Sequence, residues 1–244
     1  MNIWPTGVGR IVLPQTDSTM KEAARVAASS SFVQWILTLD QTSGHGRRGR
    51  PWTMPAGNFA ATLLMFPDEP ADKIALRSFV ASLALYDAVA TATGRPEMLA
   101  LKWPNDVLLN GGKFAGILLE RGAHHLSIGI GANLAATPDA SYVEPSPFPP
   151  VSLAHEASVL ITPEDFLDIL APAYANWEHQ FTTYGFEPIR TAWLARAAKL
   201  GQPIRARTTL DEHHGTFEDV DAQGNLVLRQ SSGVLSIPAA EVFF

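Results

Sequence analysis

Apolar side chains along this chain recur at two spacings, one suited to helices and the other to strands. Residues 17–30, DSTMKEAARVAASS, follow the helical spacing, and Thr19 with Glu22 three residues later forms a capping-box pattern, so a helix capped by Thr19 is predicted. FVQWILTLD at 32–40 and NFAATLLMF at 58–66 are β-branched and aromatic runs of strand length. Over 72–93, Leu76, Phe79, Val80 and Leu83 return to helical spacing, which Gly94 and Pro96 end. Within 99–122, Asn110-Gly111-Gly112 lies between apolar runs and predicts a hairpin pairing 106–109 with 113–120. HHLSIGIGANLA at 124–135 reads as another strand, and 138–150 as a proline-rich loop.

Thr162-Pro163 then opens a helix with Phe166, Leu170, Tyr174, Trp177 and Phe181 on one face. Pro172 inside that pattern predicts a kink or an interruption. A short helix is expected near 188–198. From about residue 200 the pattern changes to short alternating strands, with a turn at Asp221–Gly224, as in a small β-barrel. The expected fold class is α+β, strands and helices mixed with hairpins over 1–198, followed by a small β domain over 199–244.

Composition narrows the function classes. With 46% hydrophobic and 17% charged residues, the chain has ample material for a core. It contains no cysteine, which excludes disulfide and thiolate chemistry and fits a reducing compartment. Residues 1–10, MNIWPTGVGR, lack the apolar segment of a secretory signal, and the greasiest stretch, near 74–93, is broken by Arg77 and Asp87. No apolar run approaches the roughly 18 residues of a membrane span. A soluble, cytoplasmic protein with no membrane partner is expected. The net charge of −6 argues against a general nucleic-acid binder but leaves room for one local anion site.

Four stretches could carry chemistry. GHGRRGRPW at 44–52 concentrates three arginines and a histidine among three glycines. It reads as a mobile clamp for a phosphate-bearing ligand, with backbone amides and guanidinium groups as donors, or as a solvated charged loop. Lys102-Trp103-Pro104-Asn105-Asp106 reads in isolation as a proline turn with Asn105 and Asp106 bonding their own backbone. Lys113, just past the hairpin turn, is either a solubilising edge lysine or an amine aimed into a site by the apolar strand that follows. Gly129-Ile130-Gly131-Ala132-Asn133 permits close backbone approach by a ligand, or marks a bulge.

Taken in order, GHGRRGRPW, KWPNDVLLNGGKFAGILLE and IGIGANLA resemble the biotin protein ligases, from about residue 10 to the C-terminus. The last segment also resembles that family's SH3-like domain. The resemblance implies a catalytic domain built as a mixed sheet flanked by helices, like those of biotin and lipoate ligases, and an ATP-dependent, AMP-forming reaction. Biotin would be activated to biotinyl-5′-AMP and transferred to one lysine of a biotin carboxyl carrier protein of the acetyl-CoA carboxylase type. On matching motifs, Ser18, Thr19, Gln41, Gly44, Arg47, Lys113, Gly116 and Gly129 would bind biotin. Arg47, Arg48, Arg50, Trp52, Asn105, Asp106, Lys113, Gly131 and Asn133 would bind ATP or the adenylate. Lys113 and Arg47 are the implied catalytic pair, and Asp106 the candidate link to Mg2+ with ATP. The family also raises a homodimer through a sheet edge.

This sequence departs from the family pattern at two places. His45 stands where arginine is common, and Met20 where D-S-T is often followed by asparagine. Only 16 residues precede D-S-T, which leads to the expectation of a ligase that does not bind DNA. The rivals are a lipoate or octanoate ligase or transferase on the same scaffold, whose R-R-x-x-G-G-G run is missing here, and a non-catalytic anion or nucleic-acid binding module.

Overall fold

The computed structural model describes residues 3–139 and 147–244, so part of the proline-rich loop expected at 138–150 lies outside the described residues. Strand β1 (Gly9–Leu13) leads into helix α1 (Thr19–Ala27), which returns the chain to β2 (Gln34–Thr38), parallel to β1. A parallel pair needs such a crossover. The chain then passes through the glycine–arginine loop into β3 (Phe59–Met65), antiparallel to β2. Strands β4 (Leu99–Lys102), β5 (Asp106–Leu109), β6 (Gly112–Arg121) and β7 (Leu126–Ala132) form an antiparallel meander. Pairing of β7 with β3 completes a seven-stranded mixed sheet in the order β1-β2-β3-β7-β6-β5-β4, the architecture expected.

The sheet's alternation sends its side chains to two different surroundings. Trp35, Leu37, Phe59, Ala61 and Leu63 face a large core shared with α3 (Arg77–Thr93) and α5 (Pro163–Tyr184). Edge-to-face ring pairs there, Phe59 with Phe166 at 5.1 Å and Trp35 with Tyr174 at 5.9 Å, fix how α5 sits on the strands. On the opposite face, Ile36 and Leu64 meet Ala23 of α1 in a much smaller cluster.

Several local expectations hold. Asn110 and Gly111 have φ of 48° and 79°, the left-handed pair that a two-residue hairpin turn requires, and the turn joins β5 to β6. Gly94, with φ of 67°, ends α3 and donates its N–H to the Ala90 carbonyl. Thr162 caps α5 by accepting the Asp165 N–H at 3.1 Å.

Others are corrected. Thr19 does not cap α1: it is the first helical residue, Ser18 occupies the cap position without a side-chain bond, and the helix stops at Ala27. The single helix expected over 72–93 divides at Leu76 into α2 (Ala71–Ala75) and α3. Pro172 does not interrupt α5, which runs 22 residues. A mid-helix proline costs about 3 kcal/mol, but the flanking face of Phe166, Leu170, Tyr174, Trp177 and Phe181 is fully packed, at roughly 1.5–3 kcal/mol for each large side chain buried. Strand β1 and the short helix α4 (Leu153–Ala157) carry too few periodic positions to be read from sequence.

The run Ala71–Thr93 has the length and, over an 18-residue window, the mean hydropathy, 1.4, of a membrane span despite Asp72, Lys73, Arg77 and Asp87. Its burial between the sheet and α5 makes it a core helix. After α6 (Phe186–Leu194), strands β8 (Pro203–Arg207), β9 (Glu212–Val220), β10 (Leu226–Gln230), β11 (Gly233–Ile237) and β12 (Glu241–Phe243) form an antiparallel sheet ordered β11-β10-β9-β8-β12. Its apolar face is continuous with the main core, where Phe217 lies 6.5 Å from Trp193. Trp103 Nε1 donates to the Gly224 carbonyl at 3.0 Å, a second tie between the two sheets.

Candidate functional site

On the α1 side of the large sheet, cross-strand register aligns its smallest residues. Ala60, Gly131 and Gly116 form one row across β3, β7 and β6, and in the next row Gly129 lies between Thr62 and Leu118. Small residues on three adjacent strands leave a trough where larger side chains would close the surface. The trough is the floor of a cavity of about 360 Å³, within the roughly 300–1,000 Å³ usual for small-molecule sites. Two side chains lie on its glycines. A Cβ added at Gly131 would stand 2.4 Å from the Trp52 indole, and one at Gly129 would stand 2.6 Å from Met20 Sδ.

Buried polar groups close one end of the trough. Thr19 donates both its backbone N–H, at 2.9 Å, and its hydroxyl, at 3.2 Å, to Gln41 Oε1, while the Thr62 hydroxyl donates to Thr19 Oγ1 at 2.9 Å. The bonds that an N-cap would have made locally are thus made across the chain, and they fix Ser18, Thr19 and Gln41 at the cavity wall. Gly44 alone of the expected binding residues does not line the cavity. It stands behind Gln41, where a Cβ would come within 2.3 Å of Gln41 Nε2.

The other end is charged. Lys102 ends β4, Asp106 opens β5 opposite it, and Lys113 lies in the first turn-proximal pairs of β6. Lys113 Nζ is 2.7 Å from Asp106 Oδ1, and Lys102 Nζ is 3.4 Å from Oδ2. Burial pushes the Asp106 carboxyl up, but the two ammonium groups outweigh it and hold it below the usual carboxylate range. Burial likewise pushes Lys102 down against the attraction of Asp106. Lys113 is therefore neither a solvated edge lysine nor a free one: its amine is fixed at the cavity by a buried carboxylate.

Over this end folds the glycine–arginine loop. Trp52 donates its N–H to the Gly44 carbonyl and Gly46 to that of Arg50, and between them Arg47–Gly49 makes one tight turn with Arg48 at φ 59°. Arg47 donates to Asn105 Oδ1 at 3.4 Å, and among the described residues it forms no ion pair. Desolvation lowers its pKa, with Asp106 opposing that shift. Asn105 also donates to the Ile117 carbonyl, pinning the proline turn to β6. Asn133 lines the cavity but spends its amide on the Asn58 side chain and the Val151 carbonyl, which makes it a tie between loops. His45 Nε2 lies 3.0 Å from Glu120 Oε1, turned toward β6.

Such a cavity can hold a flat apolar body at the glycines and an anion among Lys113, Arg47 and the loop amides. The chain is 56% identical to a biotin–[acetyl-CoA-carboxylase] ligase of Paracoccus denitrificans over 238 residues, 96% of this chain and 99% of that one. The chain belongs to the biotin protein ligase family. The model of the biotin/lipoate A/B protein ligase family matches residues 12–133, and that of the biotin protein ligase C-terminal domain matches 199–244. A bifunctional ligase/repressor of Bacillus subtilis is 29% identical over 92% of this chain and 70% of its own. The fold is that of the Aquifex aeolicus biotin protein ligase solved with biotin and ATP, at a TM-score of 0.85 and 21% identity over 96% of this chain and 98% of that one. The C-terminal antiparallel sheet fits the SH3-like domain expected.

Ser18, Thr19, Gln41, Arg47, Arg48, Arg50, Trp52, Asn105, Asp106, Lys113, Gly116, Gly129, Gly131 and Asn133, from stretches far apart in the sequence, line one cavity. Sequence reasoning missed Phe148, Arg207, Glu241 and Phe243, which also line it. Three of these belong to the C-terminal strands, and no local motif marks them. Lys102 stood within KWPND but was not singled out, although its ammonium sits 4.6 Å above the Phe148 ring.

Proposed function

We propose that this chain activates biotin with ATP to biotinyl-5′-AMP and transfers it to one lysine of a biotin carboxyl carrier protein. The observation that carries this reading is the cavity itself, apolar and glycine-floored at one end and bounded at the other by Lys113 and the arginine loop. The Paracoccus relative is named for the same activity. Residues 1–198 would carry the chemistry and 199–244 complete the nucleotide end, in a cytoplasmic enzyme.

In the first step a biotin carboxylate oxygen attacks the α-phosphorus, the bond to the leaving pyrophosphate breaks, and the mixed anhydride forms. Charge builds on phosphoryl oxygens as this happens, so the Lys113 ammonium and the Arg47 guanidinium stabilise it. Asp106 positions Lys113 through their ion pair. In the second step the carrier's lysine amine attacks the acyl carbon, an amide forms, AMP departs and the amine loses a proton. The loop over the cavity shields the anhydride from water between the steps.

The residues present do not fit a resident Mg2+ site at Asp106. Both of its oxygens face lysine ammonium groups, and no group of three metal-ligating side chains occurs among the described residues. Magnesium belongs, in this reading, to the ATP substrate. Incubation with Mg-ATP, biotin and a carrier domain, with lipoate in parallel, tests the reading. A biotin-sized mass gain on the carrier is expected. Modification by lipoate alone would favour the rival, and no modification together with no biotin-dependent pyrophosphate exchange would overturn both.

A further inference from the structure

Two of the loop's arginines are held from the other sheet. Glu241, the first residue of β12, accepts a bond from Arg50 at 3.1 Å on Oε1, while its Oε2 lies 2.9 Å from Arg207 of β8 and 3.8 Å from Arg48. All four residues line the cavity. Arg47, Arg48 and Arg50 stand within four positions of one another, and like charges so close repel. Arg48 also sits in a backbone region that side-chain-bearing residues disfavour, so surrounding contacts must hold the turn. Burial pushes the Glu241 carboxyl up, and the bonds from Arg207 and Arg50 bring it down to about 2, so it is ionised at neutral pH.

We infer that Glu241 is a positioning residue for the nucleotide, its carboxylate gathering Arg48, Arg50 and Arg207 at the cavity mouth before ATP arrives. The inference rests on the reading of this cavity as an acyl-adenylate site. Among these four groups the balance stays positive, so phosphates meet a preassembled cation cluster and ordering the loop costs less at the moment of binding. The C-terminal sheet thereby acts on the loop directly, although about 190 residues separate Arg50 from Glu241 along the chain, a contact that sequence spacing alone would not reveal.

The test compares the full-length wild type with Glu241→Gln and Glu241→Asp in biotin-dependent ATP–pyrophosphate exchange, varying ATP and biotin at low and high salt. In Glu241→Gln the KM for ATP should rise about three- to tenfold, the size expected for losing partly exposed ion pairs. The kcat and the KM for biotin should move little, Glu241→Asp should recover part of the loss, and high salt should narrow the gap to wild type. An unchanged or lowered KM for ATP in an exchange-competent Glu241→Gln overturns the inference alone. So does an equal loss of kcat and of biotin binding, which would mark a merely structural role. Absence of exchange in the wild type overturns the adenylate reading and this inference with it.

Discussion

The two faces of the seven-stranded sheet are built from the same strands and do opposite work. One carries Trp35, Phe59, Leu63 and Ile128 into a continuous aromatic and aliphatic core. The other carries Ala60, Gly116, Gly129 and Gly131, and there α1 packs only a small cluster beside an open trough. Strand alternation makes this division cheap, because a residue change on one face leaves the other untouched. Stability therefore resides mainly on the face under α3 and α5, and the proposed binding site on the face whose side chains are small.

Substitutions on the two faces should have different consequences. The largest effect is expected on the packed face. Phe59→Ala should cost about 3–5 kcal/mol of stability, read from urea unfolding, while the KM for biotin of the folded fraction stays near wild type. Loss of biotin binding without loss of stability there would reverse the assignment. On the open face, Lys113→Ala should slow pyrophosphate exchange by about 10²–10³-fold, the size seen for a lost transition-state donor, while its stability loss, from leaving Asp106 with Lys102 alone, stays below that of Phe59→Ala. Turnover at the wild-type rate would remove Lys113 from the chemistry.

Smaller effects sharpen the contrast. Gly131→Ala places a Cβ against the Trp52 indole. The indole must move, and a cost of about 1–2 kcal/mol, typical of overpacking, should raise the KM for biotin or ATP about tenfold and shift tryptophan emission. An unchanged spectrum and KM would show that the trough tolerates a side chain. Asp106 provides the pH test. Its folded-state carboxyl lies below the ordinary value of 3.8, so it contributes stability above that value and loses the contribution as pH falls through the depressed one. Asp106→Asn should therefore be less stable than wild type at pH 7, with the two stability curves converging in acid. Parallel curves would mean that the ion pair with Lys113 adds nothing to folding.

The smallest change is expected at His45→Arg. His45 is turned toward Glu120, and Arg47, Arg48 and Arg50 already line the cavity, so the KM for ATP should fall by no more than a few-fold. A larger gain would show that the histidine leaves the phosphate end short of charge.

Much of the open face was legible because its signals are local. Asn110-Gly111 announced the hairpin that carries Lys113, and closely spaced glycines announced the trough. Where the signal was local but the outcome was not, the reading failed. Thr19 matched a capping box and instead bonds Gln41 and Thr62, because a partner 22 residues away satisfies its donors as well as its own helix would. Pro172 carried a helix-breaking signal that the packing of α5 overrides.

The alternation of the strands, most of the helices, the hairpin turn and the residue types around the site can be read from the chain's sequence, since each depends on side chains within a few positions of one another. That Asp106 holds both lysines, that Trp52 and Met20 lie on the glycines, and that Glu241 reaches Arg48 and Arg50 from the C-terminal sheet are consequences of how the chain folds. These are interactions between groups that register and domain packing bring together. Charge pairs and close approaches leave no periodic trace in a chain, so they become visible only once the strands are paired.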